Sequence, residues 1–131
     1  MSHQTQQTID KVARFILGVL FLFFGLNGFF NFLPTPPMSD EAKNAYGVIL
    51  FLNPSLLPLI KLTEISCAVL FLLNRYVVLA TLLIAPIAIN IALFHIFLEP
   101  NGRLFPLIII GCLSVIVLYR KNSYQPLFKR S

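Results

Sequence analysis

The chain has 131 residues, 57% of them hydrophobic and only 11% charged, with a mean hydropathy of +0.83 and a formal net charge of +5. A soluble domain of this size, which ordinarily carries roughly 25% charged residues, could not bury so much apolar surface, so the composition points to one integral membrane domain. The basic residues are thinly spread, which excludes a nucleic-acid surface, and Cys67 and Cys112 stand alone, which indicates neither a disulfide framework nor a zinc site.

The first apolar run extends from Val12 to Leu33 with a single charge, at Arg14. Lys11 and Arg14 around its start resemble the beginning of a signal peptide, but the run is too long for one and lacks a small-residue cleavage site, so a retained helix is expected. Residues 1–11 are then a cytoplasmic tail. A proline-rich link, Pro34-Thr-Pro-Pro37, leads to Ser39-Asp-Glu41, an acidic helix start, and to Ala42–Leu52, too short to span and suited to the membrane interface.

The second run, Pro54 to Leu73, contains Lys61 and Glu64, and Asn53 before Pro54 reads as its cap. Asn74-Arg75 is a two-residue link that forces an antiparallel hairpin with the third run, Tyr76 to Leu98, which is uncharged throughout. Glu99-Pro-Asn-Gly102 turns the chain into the fourth run, Leu104 to Tyr119, the shortest of the set. At about 1.5 Å per residue the first three cross a hydrocarbon core of about 30 Å, and the fourth falls a few ångströms short. The expected fold class is therefore all-α, a membrane four-helix bundle with a short interfacial helix between the first and second spans and a second cytoplasmic tail at 120–131.

With four spans, one side collects Lys11, Arg14, Arg75, Arg120, Lys121, Lys129 and Arg130, and the other only Lys43 and Arg103. This bias places both termini in the cytoplasm.

Polar residues inside the spans are the functional candidates. Lys61 and Glu64 lie one turn apart, and at such depth they must pair or be hydrated. By helical rise they sit about 10 and 14 Å below the outer end of their helix, with Asn27 about 9 Å and Asn90 about 12 Å deep in neighbouring helices. Pro86, one turn before Asn90, frees the carbonyl of Leu82 and can bend the helix there. Asn31 and His95 lie nearer the surface and would complete a polar mouth. His95 is turned about 140° from Asn90, however, which suits a head-group contact equally well. A bis-histidine haem has no second membrane histidine to use, and no metal-ligand set is present.

Each feature also has a structural reading: an intrahelical ion pair for Lys61 and Glu64, interhelical glue for the asparagines, and a close-packing seam for Gly18, Gly25 and Gly28. Phe21, Phe23, Phe24, Phe29, Phe30 and Phe32 serve as core or lipid-facing bulk, and would equally suit a flat ligand such as a quinone.

Arg14-Phe-Ile-Leu-Gly18, Phe24-Gly-Leu-Asn-Gly-Phe-Phe30 and Phe32-Leu-Pro-Thr-Pro-Pro37 come in this order, followed by Lys61-Leu-Thr-Glu64 and Leu72-Leu-Asn-Arg75. Ala85-Pro-Ile-Ala-Ile-Asn90 and Phe94-His-Ile-Phe-Leu-Glu-Pro100 complete the series. The series resembles the DoxX family of small four-helix bacterial membrane proteins over residues 12–128. The resemblance implies a location in the bacterial inner membrane and, as for some relatives, a place in thiosulfate:quinone oxidoreductase or other membrane redox assemblies. The expected function is thus a non-catalytic or quinone-associated subunit of a redox system with a polar pocket in its outer half. The lipid bilayer and redox subunits would be its partners, and a homo-oligomer stays open. Two alternatives stand beside it. One is a small proton-coupled carrier, although the small multidrug transporters resemble a lone acid in the first helix rather than an acid beside a lysine in the second. The other is a membrane scaffold or assembly factor.

Overall fold

The computed structural model describes residues 2–33 and 37–129. Pro34, Thr35 and Pro36 at the centre of the proline-rich link lie outside the described residues, as does Arg130, one of the basic residues that set the expected orientation. The described chain is all-α: α1 (His3–Phe30), α2 (Asp40–Leu52), α3 (Leu56–Leu73), α4 (Val77–Phe97), α5 (Leu104–Tyr119) and the one-turn α6 (Lys121–Tyr124), with 3-10 turns at Pro100–Gly102 and Gln125–Phe128.

Residues 3–11 are helical. Helix α1 starts at His3, where the Ser2 hydroxyl accepts the Thr5 amide at 3.1 Å, and runs through the polar stretch into the apolar one. Apolarity marks only the part of a helix that meets lipid; backbone hydrogen bonding carries it further, and Asp10 is drawn into the core by two arginines described below. The helix stops at Asn31, whose left-handed backbone (φ 50°) suits asparagine and lets its amide reach the Asn27 carbonyl at 2.8 Å.

Helix α2 begins where its acidic start predicts, with the Ser39 hydroxyl accepting the Ala42 amide and Asp40 and Glu41 in the first turn. Asn53 does not cap the following helix. The residue before a proline is disfavoured in helical geometry, so Asn53 adopts φ −146°, ψ 84° and closes α2 instead, its amide donating to Ile49 at 3.0 Å. Helix α3 then starts at Leu56, a little later than expected.

At the far end of α3, Asn74 takes a left-handed backbone and Arg75 donates to the Leu70 carbonyl at 3.1 Å, a Schellman closure. Tyr76 is left-handed as well (φ 51°), so the hairpin link runs from Asn74 to Tyr76 rather than ending at Arg75. Helix α4 runs unbroken through Pro86. Helix α5 is followed, after an 82° bend, by the segment Lys121–Phe128, so the second expected tail is also ordered as helix and turn.

The four long helices close into a ring in which α1 packs on α3 and α5, and α4 on α3 and α5. Their shared core repeats at helical spacing: Ala13, Leu17 and Phe21; Cys67, Ala68 and Phe71; Val77, Ala80, Ile84 and Ala88; Ile109, Leu113 and Ile116. The glycine seam holds α1 against α3. A Cβ at Gly18 would fall 2.6 Å from the Leu72 side chain, and one at Gly25 would meet Ile65 at the same distance, so neither position admits a side chain without displacing its neighbour.

The outside is as apolar as the inside. Phe15, Phe23, Leu62, Leu83, Leu107 and Leu118 all face outward, the reverse of a water-soluble surface. Helices α1, α3 and α4 are each long and apolar enough to cross a membrane, and a fourth span is counted only if α5 and the segment bent 82° from it are taken as one. This is the construction of a helical membrane protein.

Candidate functional site

A cavity of about 400 Å³ opens among α1, α3, α4 and α5. Its wall is mainly apolar, with Phe21 and Phe24 from α1, Leu57 and Ile60 from α3, Ile87 and Ile91 from α4, and Phe105 from α5. Four polar side chains interrupt that wall: Lys61, Glu64, Asn90 and His95. A largely hydrophobic hollow with a few converging polar groups is the usual form of a small-molecule site.

Lys61 and Glu64 form the expected pair, Nζ donating to Oε2 at 3.0 Å. The two lie at i and i+3 on one helix face, so the pair is local to α3 and ties no second helix. Glu64 is buried at 3% exposure, whereas a fifth of the Lys61 side chain remains open. The Lys61 stem lies across Gly28 of α1, where a Cβ would fall 2.6 Å from Cγ and 2.7 Å from Cδ. Gly28 therefore makes the channel along which the lysine reaches its partner, a role its place in the glycine seam did not reveal.

His95 stands on the cavity wall together with Asn90, despite the wide angle expected between them around the helix. The hollow is wide enough to take both, and His95 reaches it near the end of α4, above Phe105, with ring centroids 6.4 Å apart. Its Nδ1–H donates to the Ile91 carbonyl at 3.0 Å, which in the neutral ring leaves Nε2 as an acceptor. Gly102 packs against that edge, and a Cβ there would lie 2.9 Å from Nε2. The Asn90 amide has no hydrogen-bond partner among the described residues, and its side chain is free to address whatever fills the cavity.

Two sequence candidates are not part of this wall. Asn27 turns to the end of its own helix, where Oδ1 accepts the Leu33 amide at 2.8 Å. Asn31 is the exposed left-handed cap of α1. Equal depth along the helix axes placed Asn27 beside Glu64 and Asn90, but depth says nothing of azimuth, and a side chain near a helix end is readily taken by the orphan backbone groups there.

Sequence reasoning missed a second ionic cluster at the opposite end. Asp10, 2% exposed, accepts from Arg14 Nε at 2.9 Å and from Arg120 at 3.0 and 3.3 Å. Arg14 also donates to the Phe71 carbonyl, and Arg120 to Asn74 Oδ1 at 2.8 Å. The i, i+4 spacing of Asp10 and Arg14 was the available signal; Arg120, near the other end of the chain, gave none. A groove of about 540 Å³ near this end, beside Gln6, Ile9, Tyr119 and Lys121, has no buried ionisable group in its wall.

Compared with protein-family models, with curated proteins and with solved structures, the chain matches none.

Proposed function

We propose that the chain is a DoxX-like protein of the bacterial inner membrane, a four-span bundle with cytoplasmic termini, and that it serves a membrane redox system as a quinone-associated, non-catalytic subunit. On this reading α2 lies in the outer interface and the cavity is in the outer half of the bilayer. The observation that carries the reading is the cavity wall itself: Lys61, Glu64, Asn90 and His95 set among Phe21, Phe24 and Phe105. A quinone head is a flat apolar ring with two carbonyl acceptors. Lys61 has two ammonium hydrogens left after bonding Glu64, Asn90 can donate from its amide, and aromatic edges suit the ring faces. The seven-to-two distribution of basic residues supports the orientation.

Purification in mild detergent tests the function. Quinone should be extracted from the wild type near equimolar amounts, the Lys61→Met, Glu64→Gln double variant should lose it at least about tenfold, and redox subunits should copurify. Membranes lacking the protein should reduce quinone more slowly. A reporter after the C-terminus should be active only in its cytoplasmic form, and one at Ser39 only in its external form.

A proton-coupled carrier is the second reading, favoured by a buried carboxyl and an imidazole on one cavity wall. Proton flux into liposomes containing the pure protein, abolished by Glu64→Gln and unaccompanied by bound quinone, would replace the first reading with this one. A protein that holds no quinone and moves no protons would be a scaffold.

A further inference from the structure

The cavity has an apolar annex. A second hollow, of about 270 Å³, lies between α2 and the neighbouring ends of α3 and α4, walled by Tyr46, Ile49 and Leu50 from α2, Leu56 from α3 and Phe94 from α4. It shares Leu57, Ile60, Asn90, Ile91 and His95 with the first cavity, so the two adjoin along these side chains. The ionised pair belongs to the first alone; the annex has no charged residue in its wall. A hydrocarbon segment arriving from lipid can fill such a wall through close packing rather than through release from water, whereas a compact polar ligand would leave it empty.

Helix α2 covers this annex and is anchored at its start. The Ser39 hydroxyl donates to the Leu98 carbonyl at 2.7 Å, the Ser39 amide donates to the Glu99 carboxylate, and Ala42 is the one buried residue of α2. At the other end Phe51 and Leu52 stand fully outward, 85% and 74% exposed.

We propose that the annex binds the apolar tail of an amphiphile whose polar head occupies the main cavity, the ligand being a prenylated quinone rather than a head group alone. This rests on the quinone reading above and adds to it a tail site and a cover. Three benzoquinone probes with the same head and none, one or two isoprene units provide the test, with full-length protein in a single detergent. Binding of each probe is read by equilibrium dialysis in that detergent, so that no residue of the cavity wall is altered.

Affinity should rise about tenfold from the tail-less probe to the two-isoprene probe, as the added carbons pack against the annex wall. Leu56→Phe, which fills the annex, and Ile49→Glu, which charges it, should each cut that preference below about threefold while leaving tail-less affinity unchanged. Both variants sit in the same micelles as the parent, so detergent partitioning cancels, and if one fails to fold the other decides. A preference that survives in the folded variants overturns the tail site and leaves the head site standing. No binding of any probe overturns the quinone reading and the tail site together.

Discussion

At the end of the bundle where α1 begins, Asp10 receives three hydrogen bonds from two arginines, whereas toward the other end Glu64 receives one, from a lysine on its own helix. The first cluster joins the start of α1 to the ends of α3 and α5, since its arginines continue to Phe71 and Asn74. Its charged groups are all engaged with other parts of the protein. The second cluster ties no helices, borders a hollow, and keeps spare donors on Lys61 and Asn90 and a spare acceptor on His95. Ionised groups in apolar surroundings are expensive in both places. One set is absorbed in holding the fold, and the other is left with capacity for something outside it.

That contrast can be broken most forcefully at Asp10. Asp10→Ala leaves two arginines facing one another without a counter-charge, and thermal unfolding in detergent should report a loss of about 3 kcal/mol, the usual size for removing one partner of a buried pair. A loss under about 1 kcal/mol would mean that the cluster is solvated and the contrast false. Gly25→Val comes next. It drives a side chain into Ile65 and toward the Lys61 carbonyl, and should cost about 1 to 3 kcal/mol as overpacking.

The Lys61 and Glu64 pair should show coupling without much net stabilisation. Lys61→Met and Glu64→Gln should each lower stability by about 1 to 2 kcal/mol, and the double variant should regain much of it. Additive losses would indicate that each binds something other than its neighbour. Smaller still, Asn27→Leu should cost about 1 kcal/mol through the lost bond to Leu33, while Asn90→Leu should change stability by less than about 0.5 kcal/mol and instead weaken ligand binding. Equal effects would return both asparagines to the same role. Tyr124→Phe should be neutral to slightly stabilising in the same unfolding measurement, because the buried Tyr124 hydroxyl has no hydrogen-bond partner among the described residues and its removal relieves the cost of burying it unpaired.

The long apolar helices, the Ser39 start of α2 and the Lys61 and Glu64 pair were legible because each depends on residues close in sequence. Hydropathy gives a helix its membrane portion, a cap gives it a start, and an i, i+3 spacing gives a pair. The beginning of α1 was hidden because polar residues continue a helix as well as apolar ones do. Arg120 could not be foreseen as the partner of Asp10, since only the closing of the ring brings α5 beside α1. The same ring decided which of the asparagines at equal depth face the cavity: Asn90 does, and Asn27 is claimed by its own helix end. Azimuth is a tertiary property, and no pattern within one helix specifies it.

The glycine seam also constrains how the protein is made. Helix α1 emerges before α3 but is shaped for it, and residues 31–55, with α2 among them, must be synthesised before α3 even begins. At about 5 to 20 residues per second, Gly18, Gly25 and Gly28 face lipid, or a chaperone, for on the order of a few seconds before their partner arrives. Helices α3 and α4, joined by a short link, meet almost as they leave the ribosome. Assembly therefore has a built-in order in which a hairpin forms at once and an older helix is recruited to it. A substitution in the seam would act on the yield of inserted protein as well as on the stability of what has folded.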